Sequence, residues 1–197
     1  MILSVFANFD KGTWVMVALA VIVGAYLWWL ERRDKKAKLG ACEQYATLTE
    51  ETLAALPDGE VVRAVAANVV KKQETEKSDL AAVLPFLSPG RRGVYGIWLV
   101  CNELETRGLD AYFRSPYRRF APVIAEGFAM VGAAACGAAW DEACARYEAQ
   151  KNGEKGLPSW DEYTARMRDA VKDEQPLSLC VAYIRDNAAE FVDQSAT

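Results

Sequence analysis

Three residues around one predicted turn have side chains that could do chemistry together. Glu103, Arg107 and Tyr112 follow one another within ten positions, and a carboxylate, a guanidinium and a phenol so close in sequence fit a carboxylate-dependent enzyme or a site for an anionic ligand. The chain contains no histidine, which excludes Ser-His-Asp and Cys-His catalysis and histidine-based metal sites within this chain. The turn is therefore the candidate catalytic or ligand-binding site.

Arginine and aromatic residues continue past this turn. Arg114, Arg118 and Arg119 alternate with Tyr112, Phe113, Tyr117 and Phe120. Arginines beside aromatic rings can hold an anionic ligand or a partner segment by forked hydrogen bonds and stacking. A corner between two helices, with aromatic residues in the core and arginines in solvent, explains the same pattern. We predict a ligand-binding or partner-binding surface that comprises Glu103, Arg107, Tyr112, Arg114, Arg118 and Arg119.

Most of the other acidic residues have a structural explanation. Carboxylate doublets occur at Glu50-Glu51, Asp141-Glu142, Asp161-Glu162 and Asp173-Glu174. Adjacent side chains on a helix point about 100° apart, so a doublet does not converge on one reacting atom. Four pairs have the spacing of surface ion pairs on a helix, namely Glu103 with Arg107, Asp110 with Arg114, Glu142 with Arg146, and Glu162 with Arg166.

Cysteine and glycine spacing gives no sign of a metal or a cofactor. The five cysteines have no CxxC pair and no ligand spacing, so we predict that they are buried as small apolar residues. Gly90 and Gly93 are not followed by the Lys-Ser/Thr of a phosphate-binding loop. We predict no metal site, no cofactor and no enzymatic activity.

The elements that position these residues are predicted to be helices. Apolar residues recur at steps of three and four, as in Val94, Ile97, Cys101 and Leu104 of the predicted central helix. Ser88-Pro89, Ser159 and Pro176 are start signals, and Gly132 is a stop signal. No strand-like alternation of useful length is present. The predicted class is all-α, with a compact multi-helix domain over 46–193 and a tail at 194–197.

An uncharged segment of membrane-spanning length precedes this domain. Residues 12–30 carry no charge, and nineteen helical residues cover about 29 Å, close to the thickness of a bilayer core. Aromatic residues lie near both ends, and basic residues follow, namely Trp14, Tyr26, Trp28, Trp29, Arg32 and Arg33. We predict a short tail at 1–11, a transmembrane helix at 12–30 in contact with the lipid bilayer, and a basic linker at 31–45.

The charge distribution predicts the topology. After residue 38 the chain has 17 basic and 24 acidic residues, a net charge of −7, while residues 31–38 carry +3. A positive flank indicates that the C-terminal side stays in the cytoplasm. We expect a single-pass protein of the inner membrane with a cytoplasmic domain. A buried core helix, a signal peptide and a lipidated Cys42 are the alternatives for this region.

Several stretches of the domain resemble a bacterial all-helical domain of unknown function, in a family that includes a small DNA-mimic protein. The resemblance rests on 56–72, 93–115, VGA at 131–133, WDEY at 160–163 and the last amphipathic helix. The family signature is a Glu, an Asn-Gly-Gly turn, an aromatic pair and an Asn. Four positions match this signature, namely Glu103, Gly108, Tyr112 and Phe113. Three positions differ: Thr106 replaces the Asn of the turn, Arg107 replaces its first Gly, and Ser115 replaces the last Asn. The resemblance implies an all-helical, non-enzymatic module that acts through protein contacts.

Three functions are compatible with these observations. The first is a membrane-anchored protein-protein interaction module, a regulator or a self-protection factor, whose acidic domain binds an unknown protein partner. The second is an enzyme or an anionic-ligand-binding domain built on Glu103, Arg107 and Tyr112. The third is an acidic mimic of nucleic acid. Direct binding to nucleic acid is not expected, because the domain is acidic and lacks a basic stripe.

Overall fold

The computed structural model describes residues 43–76 and 80–193. Within these ranges the chain forms nine α-helices and three short 3-10 helices and contains no strand, which confirms the all-α prediction. The α-helices are α1 (Glu50–Ala55), α2 (Asp58–Glu76), α3 (Leu80–Val83), α4 (Pro89–Thr106), α5 (Gly108–Arg114), α6 (Ala121–Val131), α7 (Ala134–Lys151), α8 (Trp160–Glu174) and α9 (Pro176–Asp186). The 3-10 helices are Leu84–Phe86, Pro116–Phe120 and Ala188–Glu190.

Local signals fix the helix ends where the sequence predicted them. The Ser88 side chain accepts a hydrogen bond from the N–H of Arg91, and a proline opens α4. Ser159 and Glu162 form a reciprocal capping box at the start of α8. Gly132 ends α6 with a φ of 75°, in the left-handed region that glycine adopts without strain. These ends set the lengths of the helices that carry the site residues.

Helix α4 is the central element of the core. Its side chains Val94, Ile97, Val100 and Leu104 are almost fully buried and pack among α2, α6 and α9. Helices α7 and α8 pack against each other as a neighbouring pair. Cys101, Cys136 and Cys180 are buried, as predicted, and Cys144 is half-buried. Burial raises the pKa of the Cys101 thiol to about 12, so it stays protonated at neutral pH.

Two glycines let α4 and α6 approach closely. A Cβ on Gly127 would lie only 2.7 Å from the carbonyl oxygen of Gly93, and a Cβ on Gly93 would lie 3.1 Å from the Cα of Gly127. The two backbones therefore touch at this crossing, where no larger side chain fits. Gly93 was considered above only in relation to a phosphate-binding loop, and the structure shows that it serves helix packing.

Asp193 links the C-terminal segment to three other parts of the domain. One carboxylate oxygen accepts hydrogen bonds from Lys72 of α2 (2.8 Å) and Arg91 of α4 (2.7 Å). The other accepts from the Leu48 backbone N–H and the Asn68 amide, both at 2.9 Å. Burial by itself raises the pKa of Asp193, but these donors outweigh it and lower the pKa to about 2.

Two of the four predicted ion pairs form. Arg107 pairs with Glu103 and Arg114 pairs with Asp110, each across one helical turn. The other two predicted pairs are wrong, because their members make other contacts. Glu142 binds Arg166 of the neighbouring helix at 2.7 Å, Glu162 belongs to the capping box, and the Arg146 guanidinium lies 4.0 Å from the centre of a tryptophan ring.

The predicted single-pass placement in the inner membrane is contradicted. In the part of the chain that the structure describes, no helix is both long and apolar enough to cross a membrane. The three longest helices, α2, α4 and α7, each carry four or more charged residues, and α6 has few charges but only 11 residues. The predicted tail, span and linker up to residue 42, with their aromatic and basic anchor residues, lie outside the described residues, as do Cys42 and the tail 194–197.

Candidate functional site

The turn between α4 and α5 is built by two residues with different backbone requirements. Arg107 has a φ of −136°, which any residue adopts, whereas Gly108 has a φ of 77° in the left-handed region. The next backbone N–H, of Leu109, donates a hydrogen bond of 3.2 Å to the buried hydroxyl of Thr164 in α8. The turn is thus fastened to α8, and this fixes where the neighbouring side chains lie.

Glu103 and Arg107 form a two-pronged ion pair. The Arg107 guanidinium donates through Nε (3.0 Å) and Nη2 (2.6 Å) to the two carboxylate oxygens of Glu103. The Glu103 side chain is 5% exposed and that of Arg107 is 53% exposed. The hydrogen bonds from this pairing raise the pKa of Arg107. Both carboxylate oxygens are therefore occupied by an internal partner.

Tyr112 is placed in the core instead of a cleft. Its side chain is fully buried, packed edge-on against Trp140 with ring centres 5.2 Å apart. Its hydroxyl donates a hydrogen bond of 2.7 Å to the backbone oxygen of Tyr117. Burial raises the pKa of Tyr112 well above its usual value. The phenol thus stays protonated and ties α5 to the 3-10 helix that follows.

The three remaining arginines of the predicted site are engaged locally. Arg114 forms a two-pronged pair with Asp110, and both side chains are at least one-third exposed. Arg118 donates to the backbone oxygen of Ser115 at 3.2 Å, and Arg119 donates to that of Pro116 at 3.1 Å. These contacts stay within one turn of each arginine. The predicted cluster is therefore a set of separate contacts on a helix corner.

Three of the cavities in the described part of the chain have volumes of about 890, 360 and 470 Å³, and none of these three is lined by Glu103, Arg107 or Tyr112. The site predicted around the turn thus has no concave surface among them. The first cavity lies beside Lys72, Arg91 and Asp193, and the other two share Leu177.

A different surface has charge that no internal partner neutralises. Asp161, Asp169 and Asp173 are exposed on α8, opposite the buried Thr164 and Met167. Their positions fall on one face, which extends about 18 Å along the helix at 1.5 Å per residue. Within the described residues, none of these three carboxylates has a hydrogen bond or an ion pair. We call them, with the exposed Glu162 between them, the acidic face of α8.

The arginines near this face are engaged in intramolecular contacts. Arg166 pairs with Glu142 and lies 4.4 Å from the ring centre of Tyr163. Arg168 donates two hydrogen bonds, of 3.2 and 2.7 Å, to the backbone oxygen of Leu104. Lys172 is the one basic residue of α8 without such a contact in the described chain. The acidic face therefore keeps a local excess of negative charge.

Comparison with known proteins identifies the family. The family model described as DMP19-like protein matches residues 86–187, more than half of the 197-residue chain. The chain belongs to the DMP19-like protein family. This is a helical domain family related to DNA mimics, which confirms the coarser part of the resemblance, and the match does not include the stretch at 56–72. Neither a curated protein nor a solved structure matches the chain.

In this DMP19-like protein the signature residues mainly hold the turn together. Gly108 provides the left-handed backbone, and Phe113 stacks on Tyr147 and Trp160 with ring centres 4.9 and 5.0 Å apart. Ser115, at the position of the last Asn, caps the 3-10 helix by accepting from the Tyr117 N–H at 3.1 Å. Serine and asparagine both cap helices through a side-chain oxygen, so this departure keeps the local structure.

The acidic face is the feature of this DMP19-like domain that sequence reasoning missed. In the sequence, Asp161 and Asp173 stood out as members of carboxylate doublets, and Asp161 also as part of the WDEY stretch. The available signal was the spacing of Asp161, Asp169 and Asp173, separated by eight and four positions, which places them on one helical face. Glu174 follows Asp173 directly, so its side chain points about 100° away from that of Asp173. The Glu174 carboxylate therefore has internal partners and accepts hydrogen bonds from the backbone N–H groups of Ala135 and Cys136, both at 2.8 Å.

We expect the Tyr112 hydroxyl to act in stability alone. Tyr112→Phe should lower the free energy of unfolding by about 1 kcal/mol, because one buried hydrogen bond is lost while the ring stays packed. Tyr147→Phe is the matched control, since the Tyr147 hydroxyl makes no hydrogen bond within the described residues, and its effect should stay within about 0.5 kcal/mol. Urea unfolding followed by circular dichroism measures both, and equal effects would contradict the assignment.

Proposed function

We propose that this DMP19-like protein is a non-enzymatic protein-binding module whose acidic helical domain engages a basic surface of a protein partner, as a regulator or a self-protection factor. The supporting observation is the acidic face of α8, where Asp161, Asp169 and Asp173 have no internal partner while Arg166 and Arg168 are engaged elsewhere. Such a face attracts a basic partner and orients its approach.

The enzyme or anionic-ligand alternative has less support. It requires Glu103, Arg107 and Tyr112 to act on a bound molecule. Glu103 is held by the Arg107 guanidinium, and the Tyr112 hydroxyl donates to a backbone oxygen in the core. A bound substrate would have to break both arrangements, since the described cavities lie elsewhere.

Mimicry of nucleic acid is the second candidate function, and it uses the same surface. The family is related to DNA mimics, and regularly spaced carboxylates on one face are the feature that a mimic needs. The two functions differ in the partner, because a mimic binds a protein at the site where that protein binds DNA. A DNA competition measurement therefore separates them.

A charge-neutralised variant tests the proposed surface. The test variant of the full chain combines Asp161→Asn, Asp169→Asn and Asp173→Asn. The control variant changes the net charge equally at exposed sites on other helices, and it combines Glu50→Gln, Glu74→Gln and Glu126→Gln. Proteins captured from a bacterial lysate by the wild type and the control, but not by the triple Asp variant, are identified and purified. Capture of the same proteins by all three chains would contradict the proposal.

The purified partner then provides a quantitative measurement. We expect the triple Asp variant to bind about tenfold more weakly than the control, because three exposed charge contacts of roughly 0.5 kcal/mol each sum to about 1.5 kcal/mol, and a tenfold change in affinity corresponds to about 1.4 kcal/mol. The difference should shrink as salt is raised. Displacement of the partner by double-stranded DNA supports mimicry, whereas binding that DNA does not affect supports a regulator of another kind.

A further inference from the structure

Two of the cavities adjoin each other beside α4, and we call the two together the groove over α4. The cavity of about 470 Å³ includes Val62, Trp98 and Val181, and that of about 360 Å³ includes Cys101 and Val171. Leu177 at the start of α9 lines both, so the two are neighbours. From Trp98 to Glu105 the groove follows about 10 Å of α4, or two helical turns.

Apolar side chains in this groove are left without full cover. Leu177 is 37% exposed, and Trp98 and Val181 are half-buried. Large apolar side chains that converge in a concave surface favour the binding of a ligand or a partner segment. The volumes are in the range that accommodates several side chains of a peptide.

The charges at the rim indicate which segment fits. Arg63 and Lys172 are exposed and form no ion pair within the described residues. The Asp58 carboxylate forms an ion pair with the Arg185 guanidinium at 3.0 Å. Among the residues that line the groove, Glu105 is then the one carboxylate without an ion pair in the described chain. Arg168, whose guanidinium is held on the Leu104 oxygen, adds a third positive charge. The rim is thus positive on a domain that is otherwise acidic.

We propose that this groove binds an acidic, apolar peptide segment of a protein partner. Its large apolar side chains occupy the space beside Trp98 and Leu177, and its carboxylates face Arg63 and Lys172. The groove differs in residues and in charge from the acidic face of α8, so it goes beyond the function proposed above. A basic partner would be attracted to the acidic face and repelled from this rim.

Fluorescein-labelled peptides test the groove on the full chain. The probe is a helical peptide of about three turns with leucine at positions i, i+3, i+4 and i+7 and glutamate at most other positions. Two comparison peptides replace the glutamates with lysine or the leucines with alanine. Fluorescence anisotropy should show binding of the acidic leucine peptide and binding at least about tenfold weaker of both comparison peptides. Equal binding of the three peptides would overturn the proposal.

Protein variants locate the bound peptide. Arg63→Glu should weaken binding about fivefold, whereas Lys151→Glu changes the net charge equally at an exposed site elsewhere and should change it less than about twofold. Ser178→Tyr, at the exposed mouth of the groove, should block binding by filling it without altering the core. Retained binding in the charge-reversed variant and in Ser178→Tyr would also overturn the proposal. Either result leaves the α8 proposal standing, because that surface is unchanged.

Discussion

Replacing Asp193 with alanine should lower the free energy of unfolding by about 3–5 kcal/mol, the cost of breaking a buried ion pair from one side. The Asp193 side chain is 11% exposed and that of its partner Arg91 is 6% exposed. Without the carboxylate, the Arg91 guanidinium is left buried with only the backbone oxygen of Phe191 as an acceptor. The Leu48 N–H and the Asn68 amide also lose an acceptor.

Asp186→Ala is the matched control, because Asp186 is exposed on α9 and has no partner in the described chain. Its effect should stay within about 0.5 kcal/mol. Urea unfolding at neutral pH measures both variants. A loss below about 1 kcal/mol for Asp193→Ala would mean that the carboxylate does not join the C-terminal segment to α2 and α4 in the way described.

The same carboxylate predicts a pH dependence with a defined sign. The folded-state pKa of Asp193 is about 2, below its ordinary value of 3.8, so the unfolded chain binds the proton more tightly. The stabilisation is therefore fully present above about pH 5 and is lost as the pH falls toward 2. The difference in unfolding free energy between the wild type and Asp193→Ala should shrink by about 2 kcal/mol over this range. A difference that stays constant from pH 6 to pH 2 would contradict the assignment.

Gly127→Ala should destabilise the domain by about 3 kcal/mol, at the upper end of the usual cost of overpacking a core. The added methyl group would lie 2.7 Å from the Gly93 oxygen and 3.1 Å from the Gly93 Cα. These are backbone atoms, which cannot rotate away as the end of a flexible side chain can. Helices α4 and α6 would have to separate, and the buried Ile124 and Phe128 of α6 would lose packing.

Gly137→Ala provides the control for helix propensity. Gly137 lies within α7, and the nearest neighbour to an added Cβ is Phe128 Cβ at 3.7 Å, an ordinary van der Waals contact. Alanine should therefore stabilise the domain there by about 0.5–1 kcal/mol through its higher helix propensity. Thermal unfolding followed by circular dichroism at 222 nm compares the two variants. Equal stability of both would show that the helices can move apart at little cost.

The two proposed surfaces adjoin each other on α8 and carry charge of opposite sign. The acidic face includes Asp161, Asp169 and Asp173, while Lys172 and Arg168 border the groove over α4. Because a helix exposes several faces to different neighbours, one element can carry both surfaces. The two sets of variants share no residue, so each surface can be inactivated alone, and this shows whether one partner uses both.

The sequence alone determined the helical class and many of the helix ends. The caps at Ser88 and Ser159 act within three residues along the chain, so their geometry follows from local backbone chemistry. The stripe of Val94, Ile97 and Leu104 repeats at the spacing of a helix, which predicts the element and its buried side. The burial of three cysteines followed from the same stripes. The match with the DMP19-like family agrees with a resemblance that rests on the hydrophobic framework and the turn around Gly108.

Tertiary structure alone decided the long-range partners. Asp193 meets Leu48 and Arg91, which are 145 and 102 positions away in sequence, and no local pattern specifies such pairs. The spacing of Glu142 and Arg146 predicted an ion pair, but Arg166 of another helix takes Glu142. Periodicity fixes which side of a helix is buried, whereas the identity of the neighbour depends on how several helices pack. Local spacing predicted the pair of Glu103 and Arg107, whereas packing buried Tyr112 in the core and left the acidic face of α8 in solvent.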